Sequence, residues 1–144
     1  MYDDILLPTD GSDAVAEAAD HAATIAERFD ATVHVLSVAD TRNRFESPSA
    51  GISTDAWQQA ESERASAAAS ETAALLPDDL PVDTATESGI PRDVIVEYAE
   101  SSGIDMIVMA THGRTGLQHY LIGSVTEKVV RRSPVPVVTV RSPD

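Results

Sequence analysis

The chain has 144 residues, 24 acidic against 10 basic side chains, four His, no Cys and a formal net charge of −14. That length fits one compact domain burying about two thirds of its unfolded surface, and the lack of Cys excludes a disulfide framework, a thiolate nucleophile and a Cys-based zinc site. An acidic surface repels phosphate backbones, so no nucleic-acid partner is expected, and the apolar runs are too short for a membrane span.

Met1-Tyr2-Asp3-Asp4 lacks the basic stretch of a signal peptide, which leads to the expectation of a soluble cytoplasmic protein. The acids are spread along the whole chain and Lys128 is the only lysine. This composition points to a salt-rich cytoplasm of a halophile, where at ~1 M salt the Debye length is about 3 Å and self-repulsion is mostly screened. An ordinary acidic protein is the alternative, and a melting curve at low and molar salt separates the two.

Ile5-Leu6-Leu7 is a short apolar run ending in the turn signal Pro8-Thr9-Asp10-Gly11, a buried strand. Ser12 is expected to N-cap a first helix, with Asp13 and Glu17 in its first turn. Val15, Ala18, Ala19, Ala22, Ile25, Ala26 and Phe29 give that helix an apolar stripe as far as about Asp30. Thr32 to Val38 reads as a second strand and Asp40 to Thr54 as a long loop. Asp55 to Leu76, free of Gly and Pro, predicts a second helix, ended by Pro77. Pro81 to Thr86 is a more polar third strand, expected at an edge. Pro91 opens a third helix carrying Val94, Ile95, Tyr98 and Ala99, and Gly103 stops it. Asp105 to Ala110 is the continuous apolar strand of a parallel sheet's centre. A Gly-containing loop runs from Thr111 to about Ile122. Gly123-Ser124 then starts a helix with Val125, Val129 and Val130, and Arg131 and Arg132 complement the dipole at its end. Pro136 to Val140 is the last strand.

This alternation predicts an α/β fold with one five-stranded parallel sheet, helices on both faces and right-handed crossovers. In such sheets ligands bind beyond the carboxyl ends of the strands, where the winding reverses. The first and fourth strands carry the unusual turns. If they are neighbours, those turns share one crevice.

The chemistry concentrates after the fourth strand. Gly113, Gly116 and Gly123 allow backbone amides to approach a ligand, and Ser124 and Thr126 stand at a helix N-terminus, a ready anion site. A Gly-rich connection with Ser124 as a plain N-cap accounts for the same residues. The loop is not a Walker A motif, because Lys128 lies a turn inside the helix. The first strand runs into TDGSDA and not a dinucleotide fingerprint, and no H-E-x-x-H or EF-hand pattern occurs.

The chain resembles the UspA universal stress protein superfamily over nearly its whole length. The resemblance is carried by ILLPTDGS, by SGIPRDVIVEYAESSGIDMIVMATHGRTG and by IGSVTEKVVRRSPVPVVTV. The ATP-binding branch has G-x2-G-x9-G-[S/T]. Here it reads Ala110-x2-Gly113-x9-Gly123-Ser124, with alanine in place of the first glycine.

The resemblance implies a single Rossmann-like (adenine nucleotide α-hydrolase-like) domain over residues 1–144. It implies a site for ATP or another adenine nucleotide built from Pro8, Thr9 and Asp10, from a backbone group of Val38, and from Met109, Ala110, Gly113, Gly123, Ser124, Val125 and Thr126. Arg114 is a candidate phosphate contact, with a solvated loop arginine as the alternative; Arg42 and Arg44 are read as solvated. His112 either touches the ligand or caps its turn, His21 and His34 are read as structural, and nothing is assigned to His119. Trp57 and Tyr120 are read as packing residues.

Because both ATP and the chain are anionic, Mg or Mn is expected on the phosphates, held mainly by phosphate oxygens and water. The resemblance also implies a homodimer through antiparallel pairing of strand 136–140, which would cover an exposed edge.

Three functions compete. The first is an ATP-binding regulatory or nucleotide-sensing homodimer in stress response. The second is a slow ATPase or phosphotransferase on the same site, with Glu127 and His112 as the only nearby candidates for a base. The third is a phospho-receiver domain, which would need an acceptor Asp after the third strand and a Lys after the fifth. The sequence has Thr86-Glu87-Ser88 and Arg141-Ser142 at those places.

Overall fold

The computed structural model describes residues 1–41, 54–112 and 123–142. Its elements alternate throughout: β1 (Asp4–Thr9), α1 (Val15–Phe29), β2 (Thr32–Asp40), α2 (Thr54–Ala73), β3 (Val82–Gly89), α3 (Pro91–Ser101), β4 (Met106–Ala110), α4 (Ser124–Arg132) and β5 (Val137–Val140). All strand pairings are parallel, in the order β3-β2-β1-β4-β5. The winding therefore reverses between β1 and β4. The same order puts β3 at an edge, as its polar composition predicts. It also removes the phospho-receiver alternative, whose sheet runs 2-1-3-4-5.

Strand periodicity divides the core in two. Ile5, Leu7, Val33, Val35, Met106, Val108 and Ala110 face one way and pack with the α1 alanines Ala18, Ala22 and Ala26 and with Ala69 of α2. Leu6, Leu36, Val38, Ile107 and Met109 face the other way, against Ile95 and Ala99 of α3 and Val129 of α4. Strands buried on both faces must be apolar at every position, which is why β1 and β4 read as unbroken runs. Each fully buried Leu or Ile contributes about 1.5–3 kcal/mol relative to an exposed one.

Three local expectations are corrected. Ser12 is not the N-cap of α1; Ala14 is, with no side-chain cap bond. The turn is closed by main chain, with Val15 N–H donating to the Ser12 carbonyl at 3.2 Å and Ala16 N–H to the Asp13 carbonyl at 3.2 Å. Phe29 leaves the α1 stripe, 47% exposed, and packs edge-on against Tyr2 at 5.2 Å. Val130 is 49% exposed, so Val129 alone anchors the middle of α4.

Strands β1 and β2 run past their apolar cores, to Thr9 and Asp40. A hydrogen-bond ladder continues through polar residues once its neighbours hold it. The helix α2 stops at Ala73, ahead of Pro77. Among the described residues no helix is long and apolar enough to cross a membrane.

His34 is half-buried at the amino end of the sheet, with Nε2 2.8 Å from Asp4 Oδ1, the structural placement expected of it. His21 is exposed on α1.

Candidate functional site

At the reversal point the β1–β4 ladder is short, and the cause is local. The β1–β2 ladder runs to Thr9 opposite Ser37, and β4 is paired with β5 up to Ala110 opposite Val140. Between β1 and β4 the register covers only Ile5 opposite Met106 and Leu6 opposite Ile107. Beyond Leu6 the paired register of the two central strands stops, while each continues along its outer neighbour. Pro8, which has no N–H to give to a ladder, stands in that stretch. The strand ends carrying Thr9-Asp10 and Met109-Ala110 thus flank one crevice, as the two unusual turns predict.

The β1 wall is held in place by side chains. Thr9 Oγ1 lies 2.6 Å from Thr72 Oγ1 of α2 and accepts from Gly11 N–H at 3.1 Å. Asp10 Oδ1 accepts from Ser12 N–H at 2.9 Å, a turn typical of Asp. Gly11 has φ +80°, and a Cβ there would stand 3.1 Å from the Ala68 Cβ. Glycine is needed both for its backbone and for the approach of α2.

The helix α2 reaches further. Arg64 donates from Nε to Glu61 Oε1 and from Nη2 to Glu61 Oε2, both at 2.9 Å. The same guanidinium donates to the Val38 carbonyl at 3.1 Å and the Asp10 carbonyl at 3.3 Å. Glu61 Oε2 also accepts from Asp40 N–H at 2.8 Å. The Val38 side chain is turned into the α3/α4 core, so only its main chain is available to the crevice.

The β4 wall is built by main chain. Gly123 is the N-cap of α4, its N–H donating to the Thr111 carbonyl at 2.7 Å and its carbonyl accepting from Glu127 N–H at 3.0 Å. A Cβ on Gly123 would stand 3.1 Å from that Thr111 oxygen. This glycine lets the helix start close against the strand end.

Thr126 Oγ1 donates to the Ala110 carbonyl at 2.8 Å and is buried, so its hydroxyl ties α4 to β4. The Ala110 methyl belongs to the α1/α2 core and Met109 to the opposite one. Ser124 is exposed in the first turn of α4, and Val125 packs on the α3/α4 core. His112 Nδ1 lies 3.0 Å from Thr111 Oγ1, a turn contact, while its buried Nε2 has no hydrogen-bond partner among the described residues. Glu127 is half-exposed and paired with Arg131 at 3.0 Å.

The structure thus brings Pro8, Thr9, Asp10 and Val38 to one side and Met109, Ala110, Gly123, Ser124, Val125 and Thr126 to the other. Gly113, Arg114, Gly116, Arg42, Arg44, His119 and Tyr120 lie outside the described residues. Sequence reasoning missed Glu61, Arg64 and Thr72. The available signal was an acid and an arginine three residues apart on the stripe of α2 that includes the buried Ala65, Ala68 and Ala69. A depression behind the β1 turn is lined by Ser12, Asp13, Glu71, Thr72 and Leu75 among others. Its two carboxylates and lack of a cation suit it poorly to phosphate. Among the described residues no group of three His, Asp or Glu is placed to hold a metal ion.

A family model described as the universal stress protein family matches residues 1–141. Universal stress protein MJ0531 of Methanocaldococcus jannaschii is 38% identical over 148 aligned positions, covering 99% of this chain and 84% of that protein. The solved structure of protein MJ0577, from the same organism, superposes with a TM-score of 0.82 at 30% identity, covering 100% of this chain and 99% of the other. A universal stress protein crystallised in complex with cAMP superposes with a TM-score of 0.65 at 25% identity, covering 97% of each chain.

Proposed function

The chain belongs to the universal stress protein family, and from that premise we propose that it binds an adenine nucleotide, ATP foremost, in the β1/β4 crevice and acts as a regulatory homodimer in stress response. The observation that carries the reading is the reversal of the winding between β1 and β4, whose register ends at Leu6, with α4 starting close against the β4 end. The cAMP complex of a relative supports the ligand class.

In this reading Asp10 accepts from the ribose, main-chain groups of Val38 meet the base, and the amides at Ser124 and Val125 meet phosphate, with Gly123, whose own N–H is taken by the Thr111 carbonyl, leaving room for the ligand. Free N–H groups and the helix dipole favour an anion there. The hydroxyl of Ser124 is exposed in that first turn, whereas the Thr126 hydroxyl is already used by Ala110. Thr126 therefore acts by fixing the wall. Gly113 and Arg114 join the phosphate side as proposals from the motif alone.

A polyanionic ligand and a chain of net charge −14 repel one another. We infer a Mg or Mn ion on the phosphates. No described carboxylate cluster is arranged to cage it, so phosphate oxygens and water supply most of its ligands. The strand β5 is a sheet edge, with Thr139 exposed and Val137 and Val138 half-buried. Antiparallel pairing with a second copy would cover it.

Isothermal titration with ATP, with Mg and then with EDTA, tests the reading. Saturable binding that weakens in EDTA supports it. Absence of binding to ATP and to other adenine nucleotides overturns it. Sedimentation at micromolar concentration tests the dimer, which a monomer would contradict.

A further inference from the structure

We propose that Arg64 and Glu61 of α2 are positioning residues of the nucleotide site, setting its preference for adenine by fixing the Val38 carbonyl. The inference rests on the adenine-nucleotide reading above.

The geometry begins with the ion pair. Two N–H groups of Arg64 grip both oxygens of Glu61, in the two-pronged arrangement that only a planar guanidinium can make. Both partners are sheltered, with Arg64 26% and Glu61 13% exposed. The pair is one turn of α2, so its orientation is set by the helix. Ala65, Ala68 and Ala69 press that helix against the sheet.

With the fork locked, the remaining donors have a fixed aim. Nη2 reaches the Val38 carbonyl and Nη1 the Asp10 carbonyl. Val38 stands one residue beyond Ser37, the last β2 position opposite β1. Asp10 stands one residue beyond the end of β1. Arg64 thus clasps two chain segments just where their mutual ladder stops. Glu61 completes the clasp through Asp40 N–H at the end of β2.

The chemical consequence lies in the lone pairs. A carbonyl oxygen has two. At Val38 Arg64 takes one and holds the peptide plane, leaving the other aimed in a single direction. An acceptor fixed in space favours a base edge that donates. Adenine offers an amino group at its 6-position where guanine offers a carbonyl oxygen. A rigid acceptor pairs with the first and repels the second, whereas one free to turn or take water distinguishes them less. Arg64 acts through Val38 and need not touch the nucleotide.

The experiment uses the full chain with Mg. ATP and GTP affinities are measured by titration for the wild type, Arg64→Met, Arg64→Lys and Glu61→Gln, with unfolding curves of each free protein in parallel. The wild type is expected to prefer ATP. Arg64→Met should lose about tenfold in ATP affinity, the scale of one well-placed neutral hydrogen bond, with GTP affinity little changed, so that the ATP:GTP ratio falls.

Arg64→Lys, which cannot span both carbonyls, should restore only part of the ratio, and Glu61→Gln should fall between wild type and Arg64→Met. If Arg64→Met fails to fold, the Lys and Gln variants carry the same comparison. Folded variants with an unchanged ratio, or with both affinities reduced equally, overturn the inference while leaving nucleotide binding intact. A wild type that binds neither nucleotide overturns the binding reading and this inference with it.

Discussion

The ends of β4 and of the β1–β2 pair face the same crevice and are held in opposite ways. At β4 the brace is the next piece of described chain: Gly123 N–H on the Thr111 carbonyl and the Thr126 hydroxyl on the Ala110 carbonyl. At β1 and β2 the brace is α2, whose Arg64, Glu61 and Thr72 hold Asp10, Val38, Asp40 and Thr9. The first wall depends on the absence of a side chain at Gly123. The second depends on the presence of long polar ones. A wall made of amides suits phosphate, and a wall made of aimed carbonyls and a carboxylate suits a ribose and a base.

The contrast can be broken most severely at Gly11, where the α2 brace meets the β1 turn. Gly11→Ala forces a left-handed backbone on an L-residue and crowds Ala68. The expected loss is about 2–5 kcal/mol in urea unfolding, combining about 1–2 for the backbone and about 1–3 for overpacking.

On the other wall Gly123→Ala meets the Thr111 oxygen. It should cost about 1–3 kcal/mol by the same assay, with ATP binding by titration falling at least tenfold. Its φ of −62° is ordinary, so the damage there is contact and not backbone strain.

Thr126→Val leaves the Ala110 carbonyl without its donor. A loss of about 1 kcal/mol or slightly more is expected, with ATP affinity reduced less than by Gly123→Ala. Glu127→Gln marks the lower bound. Its partner Arg131 is 69% exposed, so stability should move by less than about 0.5 kcal/mol, and ATP binding should persist.

The β4 wall was legible because its parts lie close together in a recognisable order. Ala110, Gly123 and Ser124 are tied by spacing, and a Gly followed by a hydroxyl at a helix start carries its own chemistry. The sheet was legible from unbroken apolar runs such as Ile5-Leu6-Leu7 and Met106 to Ala110, which only burial on both faces requires.

Arg64 and Glu61 were hidden because an acid–arginine pair three residues apart on a helix usually describes a solvated face. Only the tertiary approach of α2 to two strand ends makes it a clasp. Ser12 failed as a cap for a related reason. The Asp10 carboxylate takes the Ser12 N–H, and the main chain closes the turn before any hydroxyl is needed. The Ser12 oxygen is left buried without a partner among the described residues. Phe29 followed Tyr2, a contact across the chain that helical spacing cannot report.

The most direct test of the central claim is a crystal structure of the chain grown with Mg and ATP. The account predicts the nucleotide between the ends of β1 and β4, its base against the main chain of Val38 and its phosphates at the amides of Ser124 and Val125. A nucleotide bound elsewhere, or a crevice left empty at saturating ATP, would contradict it.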